Sequence, residues 1–133
     1  MPPRRPLQKI LYVEDEKDIR TVACMALEMV GGFTVRACST GGDAVNAFAE
    51  FGPDLVLLDV MMPELDGPAT LARIRVLAGG EAIPVVFMTA KVQQHEVAGL
   101  KDLGALDVIA KPFDPMTLSA SIRTIWDAAA FRE

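Results

Sequence analysis

Residues 54–67 read DLVLLDVMMPELDG. Four apolar residues, Leu55–Leu58, run directly into an acid, Asp59, and a turn-forming segment with Pro63 and Gly67 follows. A buried strand gains nothing from a carboxylate at its end, because burying an unpaired charge is costly. Taken alone, Asp59 reads as a strand terminator or a cap. Whether it is more depends on which other parts of the chain end beside it.

Working outward, the same pattern recurs. Gln8–Val13 (QKILYV) predicts a short buried strand that ends at Glu14 and Asp15. Ile19, Val22, Ala23, Ala26, Leu27 and Val30 then fall on one helical face, and Gly31-Gly32 stops that helix. Phe33–Cys38 predicts a second strand. The following helix buries Ala44, Ala47, Phe48 and Phe51. After Asp59, Asp66 is placed to cap a third helix with Pro68 in its first turn and Leu71, Ile74 and Leu77 inward. Ile83–Met88 (IPVVFM) predicts a fourth strand delivering Thr89. The fourth helix, about Gln93 to Leu103, is weakened by Gly99 in its interior. Asp107–Ala110 predicts a fifth strand delivering Lys111-Pro112. Asp114-Pro115 opens a last helix with Leu118, Ile122, Ile125, Trp126 and Ala129 along one stripe.

Strict strand–helix alternation with near-continuous apolar strands predicts an α/β fold, a parallel sheet covered on both faces. Right-handed crossovers bring the C-terminal ends of all its strands to one edge, where ligands bind in open sheets of this kind. The 133 residues suffice for one core. The proline-bearing start, MPPRRPLQ, reads as a disordered leader over residues 1–7, with one domain over 8–133. It has no apolar stretch of a secretory signal, and no run in the chain approaches a membrane span. A net charge of −5 excludes a dedicated nucleic-acid binder with a basic stripe. Cys24 and Cys38, with no CxxC spacing, read as reduced, packed thiols in a cytoplasmic protein. His95 reads as exposed, Arg73 and Arg75 as a solvated helix face, and Met25, Met29, Met61, Met62, Met88 and Met116 as core and loop filler.

The strand ends thus carry Glu14-Asp15, Asp59, Thr89 and Lys111. Each alone has a bland explanation; their joint placement does not. Three carboxylates at close range raise one another's pKa unless a cation neutralises them. An all-oxygen ligand set on open loops suits Mg²⁺, with Mn²⁺ a substitute. Asp59 is then a candidate nucleophile towards phosphorus. Lys111 would neutralise charge on the phosphoryl oxygens and Thr89 would donate to one of them, a chemistry that needs positioning more than covalent machinery.

In this order and spacing, ILYVEDE, LVLLDVMMPELDG, IPVVFMTA and AKPF resemble the bacterial response-regulator receiver domains, over roughly residues 8–130. The resemblance implies a flavodoxin-like (βα)5 sandwich with strand order 2-1-3-4-5, the order of the chemotaxis receiver. It implies that Asp59 is the phosphoacceptor, charged by a sensor histidine kinase, a histidine phosphotransfer protein or a small acyl phosphate. It implies Mg²⁺ held by Asp15 and Asp59 directly, by Glu14 largely through water, and by the backbone carbonyl of Met61. Thr89 matches the switch hydroxyl, Lys111 the phosphate-binding lysine, and Lys111–Pro112 a cis bond. Val108 departs from the family, which often carries an aromatic ring there, so the coupled threonine–aromatic switch cannot run in its usual form. Met61 and Lys91 flank the expected phosphoryl position without offering a base, which predicts slow autodephosphorylation.

The expected function is therefore a signalling module, not a turnover enzyme, with output through a downstream protein partner, no nucleic-acid or membrane binding, and compatibility with a homodimer. A haloacid-dehalogenase-type phosphatase is the enzyme alternative, but its second acid would fall at Met61. A pseudo-receiver, a binding module without the chemistry, has only Val108 in its favour.

Overall fold

Strands that are apolar on both faces need two covers, and the chain supplies them. The computed structural model describes residues 5–130. The elements alternate as β1 (Lys9–Val13), α1 (Lys17–Met25), β2 (Thr34–Cys38), α2 (Gly41–Phe51), β3 (Leu55–Asp59), α3 (Gly67–Arg75), β4 (Val85–Thr89), α4 (Gln94–Asp102), β5 (Asp107–Ala110) and α5 (Leu118–Ala130). All strand pairings are parallel and the order is β2-β1-β3-β4-β5. This is the flavodoxin-like arrangement expected from the sequence.

Every residue of β3 and β4 is buried, and the pleat divides their side chains between two cores. Leu11, Val13, Val56, Leu58, Val85 and Phe87 pack with Ala44, Phe48, Leu71 and Ile74 of α2 and α3. Ile10, Tyr12, Leu55, Leu57, Val86 and Met88 pack with Ala23 of α1, Leu27, and Leu118, Ile122 and Trp126 of α5. The strand order switches direction between β1 and β3, so the crevice at the strand ends opens between Glu14-Asp15 and Asp59.

Several details differ from the sequence reading. The first helix continues beyond Met25 as a π-helical turn, Ala26–Val30, and this rotates part of its predicted inner stripe outward. Val30, within that turn, is exposed; Val22, which precedes it, is exposed as well, and so are Met25 and Met29, the latter to 78%. Only Met62 and Met88 of the methionines read as filler are buried; Met61 and Met116 face outward. Asp114-Pro115 does not open α5 but forms a turn, in which the Asp114 carboxylate accepts from the Met116 amide and its carbonyl from Leu118, where the helix starts. Arg75 is not solvated: its guanidinium donates to the carbonyls of Gly80 (3.1 Å) and Ile83 (2.6 Å), closing the loop before β4.

At the opposite sheet edge, order begins before residue 8. Leu7 is buried, Arg5 pairs with Asp54 at 2.7 Å, and the Trp126 indole donates to the Arg5 carbonyl. The Asp54 carboxylate also accepts from the amides of Gln8 and Lys9, so the first acid of the opening stretch is a structural anchor. Residues 1–4 of the predicted leader, and 131–133 of the predicted domain, lie outside the described residues.

Helix α4 is the loosest cover. None of its residues is buried, and a Cβ at Gly99 would meet no atom within 4 Å. Gly99→Ala is therefore expected to stabilise the protein by about 0.5–1 kcal/mol, read as a higher urea midpoint at unchanged slope. A lower midpoint would mean that Gly99 has a contact role.

Candidate functional site

The register of the sheet brings the strand ends level. Val13 pairs with Leu58, Asp59 with Met88, and Thr89 with Ala110, so the residues that end β3 and β4, or directly follow β1 and β5, share one edge. Main-chain bonds lock the loops beyond: the Glu14 amide donates to Cys38, Val60 to Met88, and Lys111 to Thr89. Gly67 lets the β3–α3 loop return over the site. A Cβ there would stand 2.5 Å from the Asp59 carbonyl, and its amide donates to the Val60 carbonyl. Asp66 caps α3 through the Ala69 amide, as its position predicts.

At this edge Glu14, Asp15 and Asp59 each present a carboxylate oxygen, all within 4.8 Å of one another. Glu14 is fully buried and Asp59 is 2% exposed. The Lys111 ammonium bridges them, 2.9 Å from Glu14 Oε1 and 3.2 Å from Asp59 Oδ1. Glu14 Oε2 accepts from the Glu16 amide. Asp15 differs: its Oδ1 is buried and has no hydrogen-bond partner among the described residues. Thr89 is buried, and its hydroxyl oxygen accepts from the Lys91 amide (3.1 Å), leaving its hydrogen free to be donated. Met61, two residues past Asp59, turns its side chain to solvent. Val108 pairs with Phe87 within the sheet and packs against the α2–α3 core.

Burial, and then the Glu14 charge, push the Asp59 carboxyl up to about 7, against the opposing pull of Lys111. Burial works against the Lys111 charge, but its hydrogen bond to Glu14 and the charges of Asp59 and Glu14 outweigh it and raise its pKa. The cluster is thus short of positive charge. An orphaned buried carboxylate oxygen beside two further acids, with oxygen donors only, fits a hard divalent cation.

A family model described as the response regulator receiver domain matches residues 10–123. The chain belongs to the response-regulator receiver family. It is 40% identical over 119 residues to the probable transcriptional regulator ycf27 of Guillardia theta, covering 89% of this chain and 45% of that one. The receiver spans about half the length of the curated relatives it matches. Among solved structures, the N-terminal domain of a response regulator receiver protein from Methanoculleus marisnigri superposes with a TM-score of 0.73 at 35% identity, over 90% of this chain and 96% of that one. Vibrio cholerae chemotaxis protein CheY4 shares the fold, with a TM-score of 0.82 at 24% identity over 90% and 99%. A receiver is a phosphoacceptor in two-component signalling, and membership removes the phosphatase alternative.

The structure brings Glu14, Asp15, Asp59 and Lys111 together and sets Thr89 at the end of the neighbouring strand. The Lys111–Pro112 peptide is cis, matching the family feature. One polar residue at this site escaped the sequence reading: Arg20, whose guanidinium donates to the Glu14 carbonyl at 2.8 Å. An arginine one turn into a helix carries no sequence signal of such a bond.

The raised Asp59 pKa has a consequence for stability. An acid that ionises less readily when folded contributes stability below its unfolded pKa of 3.8, and this is lost as pH rises through about 7. In chelator, Asp59→Asn should therefore exceed wild type in stability at pH 8, by about 1–3 kcal/mol, with the gap closing towards pH 4. A gap of constant size across that range, in thermal unfolding, would contradict this electrostatic account.

Proposed function

We propose that this receiver takes a phosphoryl group onto the Asp59 carboxylate from a phosphohistidine of a sensor kinase or phosphotransfer protein. The observation that carries the reading is the Lys111 ammonium held between Asp59 and Glu14 while a buried oxygen of Asp15 stays unpartnered. An Asp59 oxygen attacks phosphorus, the phosphorus–nitrogen bond breaks, and the imidazole leaves with the electron pair and is reprotonated. A small acyl phosphate can replace the phosphohistidine, its phosphorus–oxygen bond breaking instead. Asp15, Asp59 and the Met61 carbonyl would hold Mg²⁺, or Mn²⁺ in its place, with Glu14 acting through water. When bound, that ion offsets the charge of the phosphoryl oxygens. Lys111 would exchange its Asp59 contact for a phosphoryl oxygen, and Thr89 would donate its free hydroxyl hydrogen to another. The domain is spent by one phosphoryl group and is not a turnover enzyme on a separate substrate.

The donor would reach Asp59 past an apolar cleft of about 480 Å³ lined by Ile19, Val22, Phe113 and Pro115 beside Lys111. Met25 and Met29, further along the first helix, are exposed apolar side chains as well. With Val108 in place of a ring, the response would pass from Thr89 to α4 directly. A cavity of about 310 Å³ between Thr89, Val60 and the α4 residues Gly99 and Leu100 leaves that helix room to move. Output would go to a downstream protein partner in the cytoplasm, a second copy of the chain included. The relatives are named as transcriptional regulators, but they are about twice as long, and no nucleic-acid contact is proposed for this chain.

Intact-mass measurement after incubation with acetyl phosphate tests the reading. Wild type should gain one phosphoryl group only with Mg²⁺, and Asp59→Asn none. An adduct that persists in Asp59→Asn would refute the assignment. Met61 and Lys91 offer no base to activate water at the expected phosphoryl position, so the adduct should be long-lived. Met61→Asn or Lys91→Glu should shorten its lifetime several-fold; unchanged decay in both would remove the explanation.

A further inference from the structure

The turn from β1 to α1 is only three residues long, Glu14–Glu16, and carries two of the three clustered acids. Its own hydrogen bonds are few. The Glu16 amide reaches Glu14 Oε2 at 3.3 Å, a long contact. The Asp15 carboxylate oxygen Oδ1 has no partner of its own among the described residues. The Glu14 amide ties the start of the turn to the Cys38 carbonyl at 3.0 Å, and the side chain of Arg20 holds its carbonyls. Its Nη1 donates to the main-chain carbonyl of Glu14 at 2.8 Å and to that of Asp15 at 3.4 Å. The Arg20 amide meanwhile donates to the Glu16 carbonyl at 2.9 Å, at the start of α1. The helix thus grips the turn by both its backbone and its guanidinium.

Arg20 and Lys111 therefore act on different atoms of the acids. Lys111 occupies carboxylate oxygens, those of Glu14 and Asp59. Arg20 takes carbonyl oxygens and leaves the carboxylates free. The short bond to the Glu14 carbonyl fixes the peptide plane that leads into Asp15, with the long contact to the Asp15 carbonyl beside it, and so keeps the Asp15 carboxylate within reach of the other two acids.

We infer that Arg20 is a positioning residue for the divalent-cation site: it pre-shapes the Glu14–Asp15 turn so that Asp15 converges with Asp59 before any ion arrives. The inference rests on the phosphoacceptor reading above and adds to it a residue that touches neither phosphoryl group nor metal. Partners that orient ligands from behind typically change metal affinity by 10–100-fold, and Arg20 should act in this way: on the affinity, not on the chemistry once the ion is bound.

Calorimetric titration of Mg²⁺ into wild type, Arg20→Ala and Arg20→Lys, paired with the acetyl phosphate reaction at each protein's saturating Mg²⁺, separates these effects. Arg20→Ala should weaken Mg²⁺ binding by about tenfold or more, with Arg20→Lys in between. The adduct rate at saturating Mg²⁺ should stay close to that of wild type, because Arg20 bonds main-chain carbonyls and not the carboxylates of the site. Unchanged Mg²⁺ affinity in Arg20→Ala, or an adduct rate that saturation does not restore in a folded variant, overturns the inference. Should Arg20→Ala fail to fold, Arg20→Lys decides between the same two outcomes. If wild type itself neither binds Mg²⁺ nor accepts phosphate, the phosphoacceptor reading fails instead, which keeps the two failures distinct.

Discussion

The structure turns on one ammonium group. Lys111 Nζ lies 2.9 Å from Glu14 and 3.2 Å from Asp59, two acids with almost no exposed surface, while Asp15 stands beside them. Three carboxylates face a single lysine, and burial sharpens the imbalance because charge is poorly screened away from water. An unpaired buried charge is costly, so the site is most comfortable when a further cation arrives. Burial, and then the Glu14 charge, hold the Asp59 carboxyl high, and the same crowding of acids suits the site to an anion that comes with a cation.

The fold maintains that imbalance. Two fully buried strands, β3 and β4, and the register linking Asp59 to Met88 and Thr89 to Ala110, leave the strand ends no freedom to drift apart. Gly67 allows the return loop to press against the Asp59 carbonyl. At the far edge, Asp54 ties Arg5 and the start of β1 to β3. The rigid centre contrasts with α4, which buries no side chain and borders a cavity next to Thr89. A rigid charge cluster beside a loosely held helix is a sensible division between a part that receives and a part that responds.

Much of this is legible in the sequence. Apolar runs such as Leu55–Leu58 and Val85–Met88 read as strands covered on both sides, and parallel order forces their ends together. The convergence of Glu14, Asp15, Asp59 and Lys111 follows from that geometry. The residues that escape are those whose role is a side chain meeting a backbone carbonyl or amide. Arg20, Arg75 and Asp54 make such bonds, and no periodicity or motif encodes them. Val30 fails for another reason: the π-helical turn Ala26–Val30 shifts the helical phase, so the last residue of a stripe drawn at regular spacing points at solvent. The late start of α5 reflects competition at Asp114, whose carboxylate satisfies a turn amide before the helix begins.

The most direct measurement is chemical mapping of the phosphorylated residue. Borohydride reduces an aspartyl phosphate to homoserine, and peptide mass spectrometry then locates it. The account predicts homoserine at position 59 alone, formed only when Mg²⁺ was present during phosphorylation. Homoserine at Asp15 or Asp54, or a stable phosphoryl adduct that borohydride leaves untouched, would contradict it.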